Sequence, residues 1–203
     1  MLALIMAGGR GTRLGMGEKP LVRILNRPMI DYIVKAFEEA GHEPVIALSD
    51  NVPMTKNWCR VNGIEYYSAG GLGYVEDLIE FTTETDERSP FLTCASDIPG
   101  ITPGTINEIY LKYTESKKES CSVWIPEDLI RKINFSCNYR ENIRGIISCP
   151  TGLNIVNGSR IAEEQDEIKV ISEDITLGYN INTPEELSLF ENFLSSGILK
   201  ERQ

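Results

Sequence analysis

Residues 1–24 are MLALIMAGGRGTRLGMGEKPLVRI. The apolar run 2–7 stops at Gly8-Gly9-Arg10-Gly11-Thr12-Arg13. A short apolar run closed by glycines predicts a strand entering a tight loop. Glycine admits conformations and close approaches that a Cβ forbids, and arginine offers a planar fork of donors to phosphate oxygens. The chain therefore opens with a strand and an anion-holding loop.

Downstream, apolar runs and helical patterns alternate. Residues 28–40 place Ile30, Ile33, Val34 and Phe37 on one helical face, and Gly41 closes the helix. Strands are predicted at 44–49, 64–69, 91–96 and 122–125, with helices at 54–61, at 74–83 and from Thr102-Pro103 onward. This alternation implies right-handed βαβ crossovers, hence an α/β, Rossmann-like domain with a mainly parallel sheet covered by helices. Ligands in such sheets collect beyond the carboxyl ends of the strands, which selects the loops after Ala7, Ser49, Ala69 and Ser96. After residue 126 the rhythm breaks. Residues 126–145 look polar and irregular, and short strands are expected at 146–148, 153–156 and 168–171. Thr183-Pro184-Glu185-Glu186 is a capping box with proline at the first helical position, opening a last helix to about residue 194. One domain is expected, with a nucleotide-binding half to about residue 125 and an acceptor-binding half with the final helix beyond it.

Composition narrows the partners. The 203 residues carry 30 acidic and 20 basic side chains, a net charge of −10, which argues against a nucleic-acid or anionic-membrane footprint. Residues 2–7 lack a basic prelude and are too short to span a bilayer, so a cytoplasmic protein without an integral membrane segment is expected. Five cysteines at 59, 94, 121, 137 and 149, with no Cys-x-x-Cys pair, argue against a disulfide framework and read as buried hydrophobes. His42, the only histidine, falls between the first helix and the second strand, at the wrong end of the sheet for a nucleophilic triad. Apolar residues 143–147 suit either a homodimer contact or a sheet edge.

The opening loop matches neither common phosphate fingerprint. A dinucleotide motif starting at Gly9 needs glycine where Leu14 stands, and a P-loop starting at Gly11 needs glycine where Met16 stands. What remains is a strand, Gly-Gly-x-Gly-Thr-Arg, then Lys19-Pro20-Leu21. This order resembles the signature of nucleotidyltransferases with a GT-A-like fold, the superfamily of the molybdenum-cofactor guanylyltransferases. Together with residues 73–78 (GYVEDL), 149–156 (CPTGLNIV) and the terminal Asn-Ile-Asn-Thr, it is similar in order along nearly the whole chain to the archaeal GTP:adenosylcobinamide-phosphate guanylyltransferases.

That resemblance implies transfer of GMP from GTP to adenosylcobinamide phosphate in cobalamin biosynthesis. Ala7, Gly8, Gly9, Gly11 and Thr12 would wrap the nucleotide, Arg13 and Lys19 would stabilise the leaving pyrophosphate, and Asp97 would ligate Mg²⁺. In the second glycine loop, Gly71, Gly73 and Tyr74 would approach the base, with Asp50 and Asp77 as acceptors for guanine. Gly152, Asn154, Asn180 and Asn182 would edge the acceptor side, the last two in an Asn-x-Asn-Thr-Pro segment similar to one whose asparagines lie at the metal and phosphate site in the molybdenum-cofactor guanylyltransferases. A phosphate monoester is largely dianionic at neutral pH, its second pKa being about 6, so no histidine base is needed. Transfer to molybdopterin or to a sugar 1-phosphate would use the same nucleotide residues, and a non-catalytic nucleotide-binding module would keep only the fold.

Overall fold

The computed structural model describes residues 1–9, 11 and 13–196. Strand β1 (Leu2–Met6) has a fully buried centre, as a parallel strand covered on both sides requires. The opening loop leads into a hairpin, β2 (Arg23–Ile24) and β3 (Arg27–Pro28), then α1 (Met29–Glu39), β4 (Glu43–Leu48), α2 (Pro53–Asn62), β5 (Tyr66–Ser68), α3 (Tyr74–Thr85), β6 (Pro90–Ala95), α4 (Pro103–Ser116) and β7 (Ser120–Pro126). The remainder is α5 (Glu127–Lys132), β8 (Glu141–Ile143), β9 (Ile146–Asn157), β10 (Glu167–Ile171) and α6 (Pro184–Ser195).

One eight-stranded sheet has the order β10-β7-β9-β6-β1-β4-β5, with β8 pairing β9. The β1–β4, β1–β6, β4–β5 and β7–β10 pairs are parallel, whereas β9 is antiparallel to β6, β7 and β8. The amino-terminal part of β9 therefore lies at the end of the sheet where the other strands finish. Residues of α1, α2 and α4, among them Phe37, Cys59 and Ile109, pack on one face with Ile5, Leu92 and Ile155. On the other face, Leu78 and Phe81 of α3 cover Leu4, Ala47 and Phe91. A third cluster joins Leu14, Val22 and Ile24 to Ile125, Cys149, Ile181 and Phe190, so the opening segment and the last helix share one core.

Several expectations need correction. Cys137 and Cys149 form a disulfide. They are brought together because the chain beyond α5 returns along β9, a proximity that spacing along the chain does not display. Cys59, Cys94 and Cys121 are free and buried as expected, and burial pushes the thiols of Cys59 and Cys121 up to about 11 and about 12. The two short strands expected around 146–156 are one strand of 12 residues. Pro150 and Gly152 interrupt its apolar pattern, and its register with β7 shifts between Ser122 and Trp124. The segment 126–145 contains α5 and β8 rather than being wholly irregular. The hairpin β2–β3 was not expected; its turn holds Leu25 at φ 55°.

Candidate active site

Four polar side chains converge at the carboxyl end of β1 and β6. Lys19 Nζ donates to Asp97 Oδ2 at 2.7 Å and to Asn182 Oδ1 at 2.9 Å, and Arg13 Nη2 donates to the same Asn182 oxygen at 2.9 Å. Asn182 Nδ2 in turn reaches the backbone oxygen of Asn180 at 3.2 Å and its Oδ1 at 2.5 Å. These groups come from positions 78 and 163 residues apart, yet they form one network. They border a cavity of about 400 Å³ shared with Met6, Gly9, Gly11, Ala95 and Ser96. Asn182, expected on the acceptor side, thus stands beside the lysine, and Asn180 stands behind it.

Local structure explains why the network holds. Gly11 has φ +57°, and a Cβ there would come within 2.5 Å of Lys19 Cβ, so only glycine lets the loop close onto the lysine. Glu18 fastens the same segment from the other side. Its carboxylate accepts from Met54 N at 2.8 Å, Thr55 N at 2.6 Å and Thr55 Oγ1 at 2.7 Å, capping the amino end of α2. The capping box of α6 is present, and Glu186 Oε2 also accepts from Asn182 N at 2.6 Å. Ile181 N donates to Asp97 O at 2.8 Å. The helix cap and the cation partner are therefore one construction.

The two glycine loops meet at Ser49, a residue that local sequence patterns do not mark. Its Oγ donates to Gly8 O at 2.6 Å, and a Cβ on Gly71 would lie 2.8 Å from Ser49 Cβ. Its position at the end of β4, beside the central strand, was the available signal. Asp77 is buried, and its Oδ1 accepts from Gly71 N at 2.9 Å and Leu72 N at 3.1 Å. That oxygen anchors the second glycine loop. Gly73 caps α3 with φ +155°, Ala7 is buried at the end of β1, and Asp50 is exposed. Thr12, expected to bind nucleotide, and Arg10 lie outside the described residues.

Two expected residues sit elsewhere. The Tyr74 hydroxyl contacts Thr93 Oγ1 at 2.8 Å and Asn154 Nδ2 at 3.4 Å, on the sheet face next to α3. Neither Tyr74 nor Asn154 borders the lysine cavity. Gly152 lies beside it, since a Cβ there would come within 3.0 Å of Ala95 Cβ. His42 is buried between α1 and β4, far along the sheet, and burial lowers its pKa.

Over 96% of its length the chain is 34% identical to 97% of the adenosylcobinamide-phosphate guanylyltransferase of Methanocaldococcus jannaschii. Over 58% of each chain it is 28% identical to the molybdenum cofactor guanylyltransferase of Shewanella pealeana. Among solved structures, the molybdopterin-guanine dinucleotide biosynthesis protein A of Archaeoglobus fulgidus superposes with a TM-score of 0.68 at 15% identity, covering 97% of this chain and 100% of that one. A CMP:2-keto-3-deoxy-manno-octonic acid synthetase superposes with a TM-score of 0.68 at 13% identity over 98% and 99%. The model of the MobA-like NTP transferase domain matches residues 3–148, and with the near full-length relative it shows that the chain is an enzyme of the MobA-like nucleotidyltransferase family.

Proposed function

We propose that the protein transfers GMP from GTP to the phosphate of adenosylcobinamide phosphate, forming adenosylcobinamide-GDP and pyrophosphate. The observation that carries this reading is the Arg13–Asn182–Lys19–Asp97 network beneath the glycine loop, on a chain similar to the Methanocaldococcus enzyme end to end. The similarity to the molybdenum cofactor enzyme covers only 58% of the chain, which favours the cobinamide acceptor.

In this reading an oxygen of the acceptor phosphate attacks the α-phosphorus of GTP, a new P–O–P linkage forms, and the bond to the departing pyrophosphate breaks. Two of the three ammonium donors of Lys19 are engaged, leaving one for a phosphate oxygen. Asn182 accepts from both Lys19 and Arg13, which holds the two cations side by side and lowers the reorganisation needed as charge moves to pyrophosphate. No base is required of the protein, because the nucleophile is already an anion.

Mg²⁺ belongs to the same proposal. Asp97 Oδ1 is buried without a hydrogen-bond partner, a fit for a hard cation. No group of three or more His, Cys, Asp or Glu side chains suited to a metal occurs among the described residues, so phosphate oxygens would complete the shell. When bound, Mg²⁺ would neutralise triphosphate charge, with Asp97 as its protein ligand. No helix among the described residues is long and apolar enough to cross a membrane. The reading places the enzyme in the cytoplasm, with exposed Ile146 and Ile147 as a homodimer contact that sedimentation would measure.

The test is pyrophosphate release with GTP, ATP, CTP or UTP crossed against adenosylcobinamide phosphate, molybdopterin and a hexose 1-phosphate, with and without Mg²⁺. Signal is expected only with GTP, adenosylcobinamide phosphate and metal together. Lys19→Ala should lower kcat by roughly 10²–10³-fold, the cost of removing one preorganised donor. Turnover of another acceptor in place of cobinamide phosphate would overturn the substrate, and near-normal turnover by Lys19→Ala would overturn the mechanism.

A further inference from the structure

The cavity at Lys19 is not the roomiest among the described residues. Beyond Phe91 and Val156, the sheet face covered by α3 opens into a groove of about 980 Å³ between the first turn of α3 and the chain that follows β9. Its floor is Asn154, Ser120 and Lys169, side chains that pairing places on one face of β9, β7 and β10. Nucleotide chemistry at Lys19 accounts for none of this space, whose volume lies at the upper end of about 300–1,000 Å³ for small-molecule sites.

We propose that this groove seats the macrocycle of the acceptor, a cationic cobalt corrin fringed with primary amides, while its phosphate arm crosses Tyr74 and Asn154 to reach Lys19. The proposal rests on the function proposed above and assigns the part of the substrate which that reading leaves unplaced. Three observations carry it. The first is continuity. The Tyr74 hydroxyl ties the start of α3 to Thr93 and Asn154, and Thr93 stands two residues before Ala95, which borders the lysine cavity. Two residues of strand span about 7 Å, a reach suited to a short aminoalkyl phosphate arm.

The second is charge. Five carboxylates and two cations border the groove, a net negative charge, whereas Arg13 and Lys19 outnumber Asp97 at the other cavity. Such a division matches a ligand with a positive ring and a negative arm, and it repels a second nucleotide. The third is the lining chemistry. Tyr74 and Val75 present partly exposed apolar surface for a flat ring, and the Asn154 amide and Ser120 hydroxyl supply partners for peripheral amides.

Two variants test it on surface positions. Val75→Arg places bulk and positive charge at an exposed rim position, and Glu164→Lys/Glu167→Lys reverses two exposed charges. Binding of adenosylcobinamide, which lacks the phosphate, is measured by calorimetry on the full chain with GTP present, beside steady-state kinetics with adenosylcobinamide phosphate. Each variant should weaken adenosylcobinamide binding and raise the acceptor KM roughly tenfold, leaving the GTP KM within about twofold. Unchanged binding in both variants, or no binding of adenosylcobinamide by the wild type, would overturn the groove. Failure of the function itself reads separately, as a wild type that binds GTP but releases no pyrophosphate with adenosylcobinamide phosphate.

Discussion

At the scale of single residues, the decisive contacts are those that aim Lys19. Its ammonium meets Asp97 and Asn182, and its backbone neighbour Glu18 is spent entirely on the first turn of α2. Glu18 touches no catalytic group, so its effect on catalysis passes through the position of the loop. Glu18→Ala should destabilise the fold by about 1 kcal/mol, as a lost helix cap does, and raise the KM for GTP more than it lowers kcat. Glu18→Gln keeps an acceptor oxygen and should recover part of both losses. Equal kinetics in wild type and Glu18→Ala would show that Lys19 is held without it. The glycines, arginine and lysine of this loop were legible in the sequence because their chemistry is local. Ser49 was not, since its meaning comes from touching Gly8 and Gly71 across two loops.

At the scale of elements, α6 ties its own stability to the proposed site. Thr183 caps the helix, Glu186 returns the bond, and the same Glu186 carboxylate holds Asn182 N. Thr183→Ala should cost about 1 kcal/mol in denaturant unfolding and also lower kcat/KM at temperatures where the protein remains folded. A stability loss with unchanged turnover would separate the cap from the site. The Cys137–Cys149 disulfide closes a short loop between α5 and β9 beside Asn180, bordering a cavity of about 230 Å³. Its reduction should lower unfolding stability by about 2–3 kcal/mol, the loop-closure scale for such a separation, readable as a shift in denaturant midpoint with and without dithiothreitol. The capping box was readable from four residues, because helix caps are set by neighbours in sequence. The disulfide and the single long strand β9 were not, because both depend on which strand β9 pairs with.

At the scale of the whole molecule, the two halves expected from the sequence prove to share a core. Leu14, Val22 and Ile24 pack with Ile125, Cys149, Ile181 and Phe190, so neither half buries its apolar surface alone. Unfolding should be one cooperative transition. The chain has two tryptophans, Trp58 on α2 inside the first half and Trp124 on β7 at the boundary, where its ring lies 6.0 Å from that of Tyr139 in the second half. Trp58→Phe and Trp124→Phe, each followed by the fluorescence of the remaining indole and by circular dichroism, should give coincident curves within each variant. Separated midpoints would mean that the halves fold independently.

Local interactions alone set the α/β alternation, the glycine loop with its basic partners and the capped last helix. Each of these rests on interactions within a few residues of the chain, where periodicity, glycine and capping chemistry act directly. Long-range packing alone supplied the bond from Lys19 to Asn182, the meeting of Tyr74 with Asn154 away from the lysine cavity, and the pairing of Cys137 with Cys149. Asn182 is set by the cap of α6 and the Ile181–Asp97 bond, and the other two follow from β9. Inserted antiparallel among otherwise co-directional strands, it carries its amino end to the active end of the sheet, and no local pattern in the chain records the direction of a strand.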